Sequence, residues 1–234
     1  MPRDMPTSTL IQIHNEIIAC EKCPRLRKYD EEVARVKRRA YRDETYWGKP
    51  VPGFGDPKAR LLIAGLAPGA HGANRTGRIF TGDRSGDYLY RALFENGFAN
   101  QPESRSADDG LKLMDAYITG AVRCAPPDNK PARDEFERCR PYMEREIDAL
   151  TRVRVVVALG KIAADTYLGI LRDRREIRSR ADFPFGHGRE YKIGVTGRVL
   201  LCSFHPSQQN TSTGRLTAEM LGSIFARARA LIES

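Results

Sequence analysis

Four of the five cysteines in this 234-residue chain occur as two pairs. Cys20 and Cys23 form a C-x-x-C motif, and Cys124 is followed by Cys139 after fourteen intervening residues. Four thiolates suit either a tetrahedral zinc ion or a cubane iron–sulfur cluster, and the spacing alone favours neither. The fifth cysteine, Cys202, lies in the apolar run VLLCSF and is predicted to be a buried apolar side chain.

A second group of residues capable of chemistry lies in the segment 65–83, GLAPGAHGANRTGRIFTGD. Glycine lets backbone come close to a ligand, and the segment has glycine at positions 65, 69, 72 and 77. A loop of this length is usually functional or disordered, and the single aromatic Phe80 among polar residues favours function. Asp83 is of the residue type that caps a helix, and a helix is predicted over 88–96.

Strands must deliver these residues to a common place. The apolar run at 61–64 is continuous rather than alternating, which is typical of a strand covered on both faces, and further strands are predicted at 113–119, 153–159 and 199–204. The helices predicted around them cover 10–19, 33–42 as a basic helix or tail, 88–96, a stretch that contains Cys139 and ends near 150, 161–168 and 216–232. Alternating strands and helices imply an α/β fold, a three-layer α/β/α sandwich with a central four-stranded parallel sheet. Ligands bind such sheets at the carboxyl ends of the strands.

Composition indicates the kind of partner and the compartment. Lys and Arg number 39 against 30 Asp and Glu, a formal net charge of +9, which favours a polyanionic partner such as nucleic acid. The first ten residues are polar, and the apolar run at 155–159 is too short to span a bilayer. We therefore predict a cytoplasmic protein with no membrane contact, in which disulfides are not expected.

Three segments taken together make the pattern specific. They are GLAPGAHGANRTGRIFTGD at 65–83, ITGAVRCAPPDNKP at 118–131 and HPSQQNTSTGRLT at 205–217. In this order, and with the cysteines at these positions, they resemble the uracil-DNA glycosylase superfamily, in the iron–sulfur branch called family 5 or the B type. The resemblance covers nearly the whole chain, from Cys20 to about Thr217.

Family membership would imply one domain over residues 1–234, with 1–59 packed on it as a helical, cluster-binding segment, and a monomer. It implies a [4Fe–4S] cluster on Cys20, Cys23, Cys124 and Cys139. It also implies excision of uracil from single- and double-stranded DNA without a lyase step, which leaves an abasic site in base excision repair. Hypoxanthine, xanthine and other deaminated bases are expected as further substrates.

The chemistry of base excision assigns roles to these motifs. Breaking the bond between C1′ and the base leaves positive charge on the sugar and negative charge on the base, and the nucleotide must first leave the stack. Phe80 is the predicted stacking partner of the base, and His205 is predicted to donate to a uracil oxygen. Where most branches carry an acidic or amide side chain this chain has Leu66, and the resemblance to family 5 implies that Asp83 acts near the sugar instead. Asn129 is a further candidate for the water or the base. The alternative is that no side chain activates water and that stabilisation of the leaving base carries most of the rate.

The remaining predicted contacts come from the same motifs. The base pocket is expected to involve Gly65, Ala67, His71, Gly72, Asn74 and Phe80, and the DNA is expected to contact Ser207, Asn210, Thr213, Gly214 and Arg215 in a flexible turn. One alternative is a protein that binds single-stranded or damaged DNA without cutting, which the absence of an acid at Leu66 favours. A second is the branch that becomes covalently attached to DNA, which is disfavoured because the His205 segment lacks that branch's basic insertion.

Overall fold

The computed structural model describes residues 6–194 and 196–234, and these form an α/β fold around a six-stranded sheet. The strands are β1 (Phe54–Gly55), β2 (Leu61–Gly65), β3 (Ala116–Gly120), β4 (Val155–Leu159), β5 (Glu190–Lys192) and β6 (Val199–Ser203). Their order across the sheet is β1-β3-β2-β4-β6-β5.

The α/β class is therefore confirmed, while the sheet differs from the four parallel strands that we predicted. β3, β2, β4 and β6 pair in parallel, and β1 and β5 add an antiparallel strand at each edge. β1 has two residues and β5 has three, and neither is fully buried. Strands this short carry no continuous apolar run, so the pattern that identified the inner strands could not identify them.

The helices of the described residues are α1 (Pro6–Ile18), α2 (Pro24–Val36), α3 (Ala73–Thr76), α4 (Arg84–Glu95), α5 (Arg133–Ala149), α6 (Lys161–Asp173), α7 (Gln208–Ser212) and α8 (Ala218–Glu233). The stretch 33–42, predicted as a basic helix or tail, is α-helical only over 33–36, which are the last residues of α2. Proline at the first helical position begins α2 directly after Cys23, and α2 ends where Lys37 adopts a φ of 57°.

Two hydrophobic cores cover the two faces of the sheet, because successive strand residues point to opposite sides. Leu61 and Ile63 pack in one core with side chains of α4 and α8, whereas Leu62 and Ala64 pack in the other with side chains of α1, α5 and α6. The structure is thus layered as helices, sheet and helices. None of the helices in the described part of the chain has both the length and the apolar content to cross a bilayer.

A buried ion pair joins the second core to the sheet. Glu146 of α5 is fully buried, and its Oε2 accepts a hydrogen bond from Arg123 Nη2 at 2.5 Å. Tyr117 and Thr119 of β3 also donate to this carboxylate, and His14 of α1 is hydrogen-bonded to the Tyr117 hydroxyl at 2.7 Å. The pair therefore connects α1, β3 and α5.

We predict that Glu146→Ala lowers the free energy of unfolding by about 3–5 kcal/mol, because it leaves the Arg123 guanidinium buried without its counter-charge. Glu137→Ala is the matched control on the same helix. Its partner Arg133 is 94% exposed, so that change is expected to cost less than about 1 kcal/mol. Urea denaturation of both variants measures the difference, and equal losses would contradict a central role for the buried pair.

Candidate active site

The carboxyl ends of the parallel strands bring the predicted motifs to one edge of the sheet. Gly65 at the end of β2 lies beside Gly120 at the end of β3, and Leu159 at the end of β4 lies beside Ser203 of β6. The segments that follow these strands therefore emerge next to one another. This edge is where an open α/β sheet binds ligands.

Phe80 and His205 meet at this edge. Their ring centroids are 5.6 Å apart and their planes are inclined by 30°. The Phe80 ring also lies over Gly65, where a Cβ atom would come within 2.9 Å of it. Phe80 is only 8% exposed and packs in the first core, so it anchors the loop, and its stacking on a base stays a prediction.

Burial keeps the His205 imidazole neutral. Removal from water lowers the pKa of His205 to about 4, and no other group contributes to this shift. Asn210 Nδ2 donates to the backbone oxygen of His205 at 2.8 Å and so holds the chain at this point. A neutral imidazole can donate one hydrogen bond without first binding a proton.

The Asp83 carboxylate both caps a helix and faces the opening loop. Its Oδ1 accepts from the Gly86 amide at 3.0 Å at the start of α4, as a helix cap does. Its Oδ2 lies against Gly69 and Gly72, where a Cβ on Gly72 would approach to 2.0 Å. Burial raises the pKa of Asp83, although the amides of Gly86 and Ser85 act in the opposite direction. The cap predicted for Asp83 is thus present, and its role near the sugar stays a prediction.

Three other residues of the predicted base pocket occupy supporting positions. His71 Nδ1 is hydrogen-bonded to the Tyr46 hydroxyl at 2.9 Å, and Gly72 directly precedes α3. Ala67 packs against the buried thiols. These contacts place His71 and Ala67 at the boundary between the loop and the N-terminal segment.

Asn74 has a position that does not support its predicted contact with a base. The residue is fully buried, and its Nδ2 donates to the backbone oxygens of Asp30 and Ala70. Its side chain therefore ties the loop to α2. No local sequence pattern distinguishes an asparagine that contacts a ligand from one that bonds to backbone, so the sequence could not predict which role Asn74 has.

Asn129 lies at the tip of a tight turn. Lys130 N donates to Pro127 O at 3.0 Å, and both Asp128 and Asn129 have positive φ, at 54° and 56°. This is the geometry of a type I′ turn, which Asp and Asn tolerate better than most residues. The Asn129 side chain is exposed, and its role near water or base stays a prediction.

The predicted DNA loop is helical at its start rather than a flexible turn. Ser207 Oγ accepts from the Asn210 amide and caps α7, and Thr213 Oγ1 donates to Gln209 O at 2.7 Å. Gly214 follows with a φ of 70° and ends the helix. The Arg215 guanidinium then lies 4.5 Å above the Phe204 ring. Capping by a serine after proline explains why this polar segment is ordered.

A groove of about 310 Å³ opens beside His205. Its lining includes Leu66, Lys161, Ile162, Phe185, Phe204, Asn210 and Arg215. Phe80 and Asp83 are not among the residues that line this groove, and Asp83 lies instead at a second cleft of about 400 Å³, together with Glu44, Arg75 and Arg105. Of the seven residues named for the first groove, only Asn210 and Arg215 were predicted from the sequence as contacts. The aromatic segment FPFGHG at 183–188 could have indicated that Phe185 also belongs to a binding site.

His187 in that segment supports the end of β6. Its Nδ1 accepts from the Phe204 amide at 3.2 Å, and its ring stacks on Phe204 with centroids 5.1 Å apart. Phe204 directly precedes His205, so His187 fixes the backbone from which the His205 imidazole projects. The sequence analysis did not identify this residue.

The four paired cysteines lie in one neighbourhood. Cys23, Cys124 and Cys139 are buried in a small cluster with Leu26 and Val122, and Cys20 is half-buried. The Cys139 thiol lowers the pKa of Cys23 to about 7. Burial, followed by the charges of Asp30 and Cys20, raises the pKa of Cys124. Among the described residues, no three His, Cys, Asp or Glu side chains are arranged to hold a single metal ion.

Cys202 lies apart from these thiols, inside β6 in the second core, where it is 0% exposed. Burial raises its pKa to about 11. The prediction that Cys202 is a buried apolar side chain is confirmed.

We predict that the His205 imidazole takes up a proton only near pH 4, far below the value of about 6.5 for an exposed histidine. The measurement is an NMR titration of the histidine ring signals, with His205→Gln used to assign the resonance. A His205 signal that titrates near the ordinary value would show that the ring is solvated and the neutral state is not enforced.

Comparison with known proteins agrees with this geometry. The sequence model of the "Uracil DNA glycosylase superfamily" matches residues 52–229. The "Type-5 uracil-DNA glycosylase" of Thermus thermophilus is 51% identical over 92% of this chain and 94% of its own length. Proteins of the same description from Mycobacterium tuberculosis and Pyrobaculum aerophilum are 48% and 44% identical, over 95% and 92% of this chain and 82% and 90% of theirs. The chain therefore belongs to the uracil DNA glycosylase superfamily.

Proposed function

We propose that this chain is a DNA glycosylase that everts uracil from DNA and hydrolyses its N-glycosidic bond, leaving an abasic site. The observation that carries the proposal is a neutral His205 in contact with Phe80 at the carboxyl edge of the sheet. The names of its relatives support the same activity. A labelled oligonucleotide with one uracil, incubated with the protein and then treated with alkali, tests it. A strand that stays intact would favour a protein that binds DNA without cutting.

His205 stabilises the leaving base in this proposal. Negative charge develops on a uracil oxygen as the bond breaks, and a neutral imidazole N–H already in place donates to that oxygen. The donor is worth most where water is excluded, and the lowered pKa of His205 reports that exclusion. Loss of a single donor of this kind typically costs about 10²–10³ in rate.

Asp83 acts on the sugar in this proposal, whereas His205 acts on the base. An ionised carboxylate there offsets the positive charge of the sugar and can orient the attacking water. The Oδ1 atom is occupied by the helix cap, which leaves Oδ2, beside Gly69 and Gly72, for this task. Leu66 has no group able to do acid–base work, and Asp83 is the one carboxylate in the segment 65–83.

We expect Asp83→Asn to slow excision by about 10²–10⁴-fold, the usual contribution of a positioned acid–base group. Because burial raises the pKa of Asp83, the carboxylate is ionised only above that raised value, and the wild-type rate should fall at a higher pH than for an exposed Asp. Single-turnover rates across pH measure both effects. Glu95→Gln, at an exposed carboxyl that ends the same helix and does not act on the pKa of Asp83, is the control and should keep the wild-type profile.

The proposed reaction has no lyase step. Such a step needs a lysine free to form a Schiff base, and the Lys161 ammonium at the groove is paired with Asp165 at 2.5 Å. We further propose that the pocket accepts hypoxanthine, xanthine and other deaminated bases, since Leu66 and Ala67 present no charged group that would select against them. Action as a monomer stays a prediction.

We propose that Cys20, Cys23, Cys124 and Cys139 hold a [4Fe–4S] cluster as a structural staple. Four thiols in one neighbourhood, three of them buried, fit a group that gives each thiolate its own iron. When bound, the cluster supplies covalent links between the N-terminal segment and the segments after β3 and in α5. The chain's own residues do the base excision in this proposal.

Replacing Cys124 with Ser is expected to lower iron content, visible absorbance and the thermal midpoint of unfolding together, because the staple is lost. Cys202→Ala is the matched control, since that thiol is equally buried but outside the cluster, and its iron content should be unchanged. Loss of colour in Cys124→Ser with full stability would contradict a structural role.

A further inference from the structure

The Arg75 guanidinium joins the two ends of the opening loop. Arg75 is 8% exposed, its Nε donates to His71 O at 2.8 Å, and its Nη2 donates to Gly82 O at 2.7 Å. Gly82 directly precedes Asp83. The Arg75 side chain is therefore bonded to the residue directly before Asp83, and its positive charge also acts on the carboxylate, where it opposes the burial that raises the pKa of Asp83.

Residues 41–48, which we call the strap, hold Arg75 from the other side. Its guanidinium forms an ion pair with Glu44 and lies 3.9 Å above the Tyr41 ring. The Trp47 amide donates to Arg75 O at 2.9 Å. The Nε, Nη1 and Nη2 atoms and one face of the guanidinium therefore all have partners in the strap or the loop.

The strap also contacts the loop at further points. The Gly48 amide donates to Asn74 O at 3.0 Å, and the Tyr46 hydroxyl is hydrogen-bonded to His71 Nδ1. The Trp47 indole lies against Gly77, where a Cβ atom would come within 2.9 Å of it. The strap and the loop thus form one packed unit.

We propose that Arg75 is a positioning residue that sets the place of Asp83, and that the strap holds Arg75 in the required geometry. This inference rests on the proposed function for its kinetic readout. A guanidinium is suited to the task because its planar fork reaches two carbonyls and a carboxylate at once, which an ammonium on the same stem does not.

The first test is single-turnover excision by Arg75→Lys and Glu44→Gln. A displacement of about 1 Å in a reacting group costs about 10²-fold in rate, so we expect Arg75→Lys to slow the chemical step by about 10–100-fold with DNA affinity little changed. Arg105→Lys, at an exposed arginine that lines the cleft beside Asp83 and Arg75, is the control and should keep the wild-type rate. A loss confined to DNA affinity would overturn the proposal.

A double-mutant cycle distinguishes an effect of Arg75 that acts through Asp83 from a general loss of structure. If Arg75 acts through Asp83, then Arg75→Lys in an Asp83→Asn background should cause almost no further loss of rate. Additive losses would overturn the proposal.

Hydrogen exchange provides a readout that does not depend on activity. The amides of residues 71–83 are expected to exchange faster in Arg75→Lys and in Glu44→Gln than in the wild type, while those of α8 stay unchanged. Equal exchange in the loop would overturn the proposal. If the wild type leaves uracil in place, the proposed function fails, and the exchange experiment still decides whether Arg75 and the strap hold the loop.

Discussion

Close approach of backbone to side chain at the edge of the sheet is the constraint on which this site depends. A Cβ atom on Gly65 would lie 2.9 Å from the Phe80 ring, one on Gly72 would lie 2.0 Å from Asp83 Oδ2, and one on Gly86 would lie 1.9 Å from Phe80 O. Only glycine leaves room at these points. The loop can therefore fold back on itself and present an aromatic ring and a carboxylate within three positions of each other.

The same enclosure acts in opposite directions on the two titratable groups of the site. Burial disfavours the charged form of any group, so it lowers the pKa of His205 and raises that of Asp83. The imidazole gains a stable neutral form with an N–H to donate. Two backbone amides, of Ser85 and Gly86, donate to the Asp83 carboxylate and favour its ionised form, which limits the rise in its pKa. Burial thus favours a neutral imidazole that can donate at His205, whereas the ionised form of Asp83 depends on the two backbone amides that oppose the effect of burial.

The sequence predicted the inner strands, the α/β class and the cap at Asp83 because each has a local signal: a continuous apolar run, a strand–helix alternation, or a capping residue before a helix. It did not predict β1, β5 or the start of α2, whose formation depends on pairing and on a proline after Cys23. Asn74 was assigned to the base pocket and His187 was not identified, both for another reason. Their partners are backbone groups distant in sequence, and no local pattern records such contacts.

The N-terminal segment belongs to the architecture of the site, although the family match begins only at residue 52. Asp30 of α2 is fully buried, its Oδ1 accepts from the Ala125 amide at 3.0 Å, and its backbone oxygen accepts from Asn74. One residue therefore links the loop after β2 to the segment after β3. Because Cys23 directly precedes α2, this helix connects the thiols to the loop that carries Phe80 and Asp83. A group bound by the four cysteines would in this way hold the walls of the site without touching the substrate.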